Sequence, residues 1–241
     1  MSDGAAPSAR RAARLDWDAA CAALDAEGVA VLGGLIDAED CRALRESYAE
    51  PARFRSRVIM ARHGYGRGEY QYFAEPLPPV VAGLREQVYP QLAPLANAWA
   101  AALREAPRFP PTHAEFREQC HAAGQPRPTP LLLRYGAGDY NCLHQDLYGE
   151  LSFPIQLVVL LSEPGRDFSG GELLLVEQRP RMQSRGQVVP LAHAGDAALI
   201  AVNERPVAGR RGVHRVRLRH GVSRVHGGER YALGVIFHDA R

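Results

Sequence analysis

The second half of the chain is a succession of short apolar runs that no long helix can absorb. From Pro130 onward come PLLLRYGAG, CLHQDLYG, FPIQLVVLLSE, GELLLVEQ, QVVPL, DAALIAV, HRVRLRHGV and RYALGVIF, set apart by Gly, Pro, Asp and Ser clusters. Runs of this length, rich in Val, Ile, Leu and aromatic residues and bounded by turn formers, read as strands. Eight of them in so short a span have to bury their apolar faces against one another, which leaves a jelly roll or a barrel.

The first half has a different texture. LDWDAACAALDAEG reads as a helix stopped by Gly28, VAVLGGL as a short strand, and DAEDCRALRESYAE as a helix with Asp37 as its N-cap. RVIMARHGYGRGEYQYF (57–73) looks like a hairpin with a Gly-containing turn. Residues 78–105 are helical in spacing, with a break expected near Pro90. The Pro-rich stretch between Pro107 and Pro130 marks the joint between the two textures. The expected organisation is a disordered tail over 1–12, an α-rich region over 13–128, and a β-rich core over 129–241 with the N-terminal helices packed outside one of its sheets.

Chemistry enters at the second strand. His144 and Asp146 are two residues apart, so on an extended strand they project to the same side. An imidazole and a carboxylate so placed form two corners of a metal site, and the iron version needs a second histidine. VHRVRLRHGVSRV supplies two candidates. Val216, Leu218, His220 and Val222 share one face while Arg215, Arg217 and Arg219 take the other, so His220 points inward among aliphatic residues and needs a partner there. His214 lies on the same face and is its rival. Ten residues past His220, Arg230 shares a strand face with Ala232 and Gly234; a guanidinium beside two of the smallest side chains leaves interior room for an anion such as a carboxylate. Cys142, also on the ligand face, is expected as a small buried filler. The other histidines, His113, His121 and His238 among them, are expected at the surface or in ordinary polar contacts.

Taken together, His144-Gln145-Asp146, His220 and Arg230 resemble the HxD…H triad and co-substrate arginine of the Fe(II)/2-oxoglutarate-dependent oxygenases. SGGELLLVEQ and GDAALIAV look most like the prolyl-hydroxylase-type branch. HQDLYGEL, LSEPGRDFSGGE, EQRPRMQSR and RHGVSRV look more narrowly like a bacterial family of such enzymes labelled as acting in nucleic-acid repair. The resemblance covers residues 130–240 well. It implies a double-stranded β-helix, Fe(II) held by His144, Asp146 and His220, and 2-oxoglutarate anchored by Arg230 with Tyr135 lining its pocket. It also implies O₂ as oxidant, with ascorbate as a supporting reductant. The reaction implied is oxidation of a substrate C–H, by hydroxylation or by oxidative loss of an N-methyl group, with release of succinate and CO₂. The chain departs from the branch on the strand after HxD, where a second tyrosine often supports the co-substrate; Gln156-Leu157-Val158-Val159-Leu160 has none. A cupin-like metal-binding sensor is the alternative from another class, and it has no need of Arg230.

Composition narrows the partners. No apolar run reaches the length of a membrane span, and residues 1–18 hold no apolar core of a secretory leader, so a cytoplasmic protein is expected. Four scattered cysteines without a CxxC pair exclude a zinc ribbon or a disulfide framework. The chain has no lysine, and its 29 basic residues are all arginine. Arg205, Arg210, Arg211, Arg215, Arg217, Arg219 and Arg224 cluster around the distal histidine, with Arg179, Arg181 and Arg185 as a second group. A phosphate-tracking rim for alkylated DNA or RNA would look like this, as would a solvated strand face. The net charge of +2 gives little long-range field and favours the solvated face. Nothing in the sequence fixes the primary substrate or the oligomeric state.

Overall fold

The computed structural model describes residues 11–12, 14–106, 108–179, 181–209 and 212–241. Of the expected tail, residues 1–10 lie outside that set, while Ala12 is buried against the core. The helices are α1 (Trp17–Glu27), α2 (Ala38–Ser47), α3 (Pro79–Ala102) and α4 (His113–Ala122). The strands are β1 (Val29–Leu32), β2 (Phe54–Ile59), β3 (Gly66–Arg67), β4 (Glu69–Phe73), β5 (Leu131–Tyr135), β6 (Tyr140–His144), β7 (Ile155–Leu160), β8 (Phe168–Gly170), β9 (Leu173–Gln178), β10 (Arg185–Val189), β11 (Ala197–Ala201), β12 (Glu204–Gly209), β13 (Gly212–Val222), β14 (Val225–Gly228) and β15 (Arg230–Val235).

The helix boundaries follow local chemistry. Asp16 and Asp37 cap α1 and α2 by accepting the Ala19 and Asp40 N–H groups. Gly28 closes α1 at φ +77°, a left-handed conformation suited to glycine, and donates its N–H to Leu24 O. The break expected near Pro90 does not occur: α3 runs through both Pro90 and Pro94. Val88, Tyr89, Leu92, Ala93 and Ala96 are all buried along it, and that packing outweighs the backbone bonds the prolines remove. α4 lies inside the Pro-rich joint, started by a capping box between Thr112 and Glu115.

Two antiparallel sheets face each other. The larger has the order β1-β11-β7-β15-β5-β4-β2; the smaller runs β10-β9-β13-β6-β3, with β12 hydrogen-bonded to β13. This is the jelly-roll arrangement expected from the sequence, with three further short strands, β8, β12 and β14. β12 escapes the eye because Pro206 interrupts its pattern; the strand pairs only with β13, where an edge tolerates proline. The N-terminal half also enters the sheets, since β1 borders β11, β4 borders β5, and β3 borders β6.

Alternation on β15 sorts the two faces of the larger sheet. Leu233, Val235 and Phe237 join the main core with Leu24, Leu84, Val88 and Tyr89 from the helices. Arg230, Ala232 and Gly234 face the smaller sheet and line the cavity between the two. No helix among the described residues is long and apolar enough to cross a membrane.

Candidate functional site

β6 and β13 meet at the site. His144 is the last residue of β6 and stands opposite His220 of β13, and Asp146 follows in the loop beyond the strand. One ligand atom from each of His144, Asp146 and His220 lies within 4.8 Å of the others. His144 Nε2 is 3.6 Å from Asp146 Oδ1, and His220 Nε2 is 3.3 Å from Asp146 Oδ2. His214 is six strand residues from His220, about 20 Å away along β13, and takes no part.

The neighbourhood fixes the state of each group. His144 Nδ1 lies 2.8 Å from Cys142 O, so it donates its proton there and leaves Nε2 as the open lone pair. Burial, and the His220 ring beside it, push the His144 pKa down and keep the imidazole neutral. Burial would raise the Asp146 carboxyl, but His220, His144 and the Tyr148 hydroxyl outweigh it and hold it well below the usual range. Tyr148 Oη donates to Asp146 Oδ1 at 2.7 Å. Two imidazoles and one carboxylate, converging at the edge of the cavity with His144 half-buried and the other two buried, are a donor set that fits a divalent transition metal.

Beside the triad lies a cavity of about 390 Å³, lined from one sheet by Tyr135, Gln156, Val158 and Arg230 and from the other by Asn141 and His220. Arg230 is 2% exposed, and its Nε and Nη1 have no hydrogen-bond partner. Burial pushes its pKa down, with Tyr135 and Glu172 only partly offsetting that. Tyr135, opposite Arg230 across β5 and β15, is wholly buried; burial pushes its hydroxyl up to about 12 against the pull of Arg230. The guanidinium carbon sits 5.6 Å from the Tyr135 ring centroid and 5.8 Å from that of Phe168. A buried cation with unmet donors in an aromatic pocket is a receptor for an anion.

Cys142 departs from expectation: it is exposed. The pairing of β6 with β13 shifts register between His220 and Val222, and that irregularity breaks strict alternation. Asn141 and His144, three residues apart, therefore both reach the cavity. Tyr148, Asn141 and Gln156 are site residues that the sequence reading passed over. Tyr148 carried the same i+2 signal as the pair it follows, and Gln156 was a lone amide in a continuous apolar strand.

The basic cluster is ion-paired in part, while Arg181, Arg219 and Arg224 meet no carboxylate among the described residues. Arg205 is buried, bonded to Glu177 and to the Asp25 and Ala26 carbonyls, and ties α1 to the smaller sheet. Arg215 reaches Glu105 and Glu204, Arg217 reaches Glu204, and Arg179 reaches Glu177. Arg210 and Arg211 lie outside the described residues. His113, His121 and His238 gather in a polar network around the buried pair Arg85–Asp239, in which Nη2 and Oδ1 are 2.7 Å apart.

A facing pair of antiparallel sheets with a His-Asp-His cluster and a buried arginine between them defines an oxygenase of the jelly-roll class. Residues 68–240 match the model of a family described as "Oxygenase, catalysing oxidative methylation of damaged DNA", and the chain belongs to that family. It is thus an oxidoreductase. Two uncharacterized proteins of Mycobacterium tuberculosis, from different strains, are each 51% identical to it over 169 residues, spanning 70% of this chain and 72% of theirs. Among solved structures, a Pseudomonas putida prolyl-4-hydroxylase shares the fold with a TM-score of 0.52 at 17% identity, over 93% of this chain and 99% of that one. A Trichoplax adhaerens prolyl hydroxylase, solved with a hypoxia-inducible-factor peptide fragment, gives a TM-score of 0.56 at 14% identity, over 96% and 90%.

Proposed function

We propose that this protein is an Fe(II)- and 2-oxoglutarate-dependent dioxygenase that oxidises a substrate C–H bond. His144 Nε2, an Asp146 carboxylate oxygen and His220 Nε2 would hold the iron, and Arg230 the distal carboxylate of 2-oxoglutarate. Iron bound there supplies activation of O₂ coupled to decarboxylation of 2-oxoglutarate, placing one oxygen atom in succinate and the other in the substrate. The observation that carries the reading is Arg230: a fully buried guanidinium with two unpaired nitrogens, in the cavity that the triad lines. A metal-binding sensor built on the same barrel has no use for it.

The protein's own part is placement. The Cys142 carbonyl sets the His144 tautomer, and the Tyr148 hydroxyl holds Asp146. Leu160, Phe168, Val222 and Val225 pack with Tyr135 around the anchor and keep water from the guanidinium. Tyr135 and Phe168 flank the Arg230 guanidinium.

On an N-methyl group the same oxidation gives a hydroxymethyl product that collapses, which is demethylation. The family's description names damaged DNA, and on that reading the substrate is a modified base. Burial of Arg205 and the pairing of Arg215 and Arg217 with Glu204 tell against a long phosphate track on that face. Fe(II) and then 2-oxoglutarate, added anaerobically to the purified protein, should produce a weak visible charge-transfer band. Air and ascorbate with the true substrate should then release succinate. No band and no succinate would leave the sensor standing.

A further inference from the structure

β7 is buried along its whole length and apolar at every position but one. The exception is Gln156, 4% exposed, lining the cavity with its Oε1 unpartnered. Gly234, on the adjacent β15, lies beside it: a Cβ there would crowd Leu131 Cδ2 at 2.7 Å and would stand at ordinary contact distance, 3.7 Å, from Gln156 Nε2. Gly234 and Arg230 are four residues apart on the same strand face, about 13 Å along β15, so the amide and the guanidinium serve opposite ends of the cavity. Apart from Arg230 and the triad, every residue lining the cavity is uncharged, Leu131, Val158, Tyr70 and Tyr148 among them.

We infer that Gln156 selects the primary substrate, and that the group it selects is a neutral planar edge carrying a hydrogen-bond donor beside an acceptor. This inference rests on the reading of Arg230 as the co-substrate anchor, which leaves the other end of the cavity to the substrate. A carboxamide presents one acceptor and one donor side by side, and only a partner with the reverse pattern satisfies both. A charged group would enter uncompensated, because Arg230 is committed elsewhere and the triad to its metal. A lactam or nucleobase edge meets the pattern, and so does a peptide amide.

The probes are 1-methyluracil, which has an N–H beside a carbonyl, 1,3-dimethyluracil, which has lost that donor, and N-acetylglycinamide as the peptide counterpart. Binding is followed by ligand-observed NMR on the protein supplied with Zn(II) and 2-oxoglutarate, a state that does not turn over. The expected result is binding of 1-methyluracil or N-acetylglycinamide, whichever tells base from peptide. Loss of the donor or Gln156→Leu should weaken it by about tenfold, the scale of leaving one buried hydrogen-bonding group unmet. 2-Oxoglutarate affinity of Gln156→Leu should stay at the wild-type value. Gln156→Glu, a near-isosteric change, should reject both amide probes. The inference falls if neither probe binds the wild type, if Gln156→Leu binds them equally well, or if it loses 2-oxoglutarate affinity instead. Failure of the wild type to bind 2-oxoglutarate would sink the underlying functional reading separately, since probe binding is read on its own signals.

Discussion

Replacing Arg230 by Met should move two observables in opposite directions. The side chain is 2% exposed and its Nε and Nη1 are unpaired, so the unliganded fold carries the desolvation cost of a charge, several kcal/mol even after relaxation. Methionine fills much of the same space without that cost. If about 2 kcal/mol is recovered, Tm of the unliganded protein should rise by roughly 4–8 °C for a chain of this size. Binding should suffer at the same time. Stranding the co-substrate carboxylate costs about 2–4 kcal/mol, a loss of roughly thirty- to nearly a thousandfold in affinity. At a concentration one hundred times the wild-type Kd, 2-oxoglutarate stabilises wild type by about 2.7 kcal/mol and the variant by less than about 1 kcal/mol. Thermal unfolding of the two metal-loaded proteins, with and without 2-oxoglutarate, reads both effects. Arg230→Lys should fall between them, keeping the charge but losing the planar fork. A methionine variant that is less stable when unliganded and still gains Tm from 2-oxoglutarate would refute the reasoning.

Tyr148→Phe removes the hydroxyl that donates to Asp146 Oδ1, and metal affinity should drop by about ten- to a hundredfold with the fold intact, measurable by competition with a chelating dye. Burial pushes His113 down to about 3 and His238 to about 4, so both are neutral in the fold while the unfolded chain protonates them near 6.5. The unfolded state then binds more protons, and stability should fall as pH drops from about 6.5 toward 4, by up to about 1.4 kcal/mol per pH unit for each histidine. Urea midpoints at pH 7 and pH 5 test this, with His113→Gln expected to flatten the slope. Asp239→Asn leaves Arg85 buried without its counter-charge and should cost about 3–5 kcal/mol in the same unfolding assay.

The parts of the structure that the sequence announced are those governed by a local period. The faces of β13 and β15 could be read residue by residue, and they put His220 and Arg230 inside. His144 and Asp146 were legible as a pair, although strict strand alternation is not what unites them: the strand stops at His144 and the following loop carries Asp146. What escaped was decided by partners distant in the chain. Cys142 turned outward because of an irregularity in the pairing of β6 with β13, which no local pattern records. Arg215 and Arg217 on β13 read as part of a free basic face, but Glu105 and Glu204, distant in the chain, lie beside them. α3 kept its course through two prolines because its buried face met the larger sheet and the other helices.

The strand order of the larger sheet also bears on how the chain is made. β15 lies at the centre of that sheet, between β7 and β5, yet it follows every other strand in order of synthesis. Until it emerges from the ribosome, β1-β11-β7 and β5-β4-β2 are two separate ribbons with open inner edges, each able to pair with a neighbouring chain. The strand that joins them carries Arg230 at its first position. Closure of the sheet and arrival of the buried arginine are therefore one event, so an incompletely synthesised chain can already hold His144, Asp146 and His220 but lacks the guanidinium that lines the finished cavity.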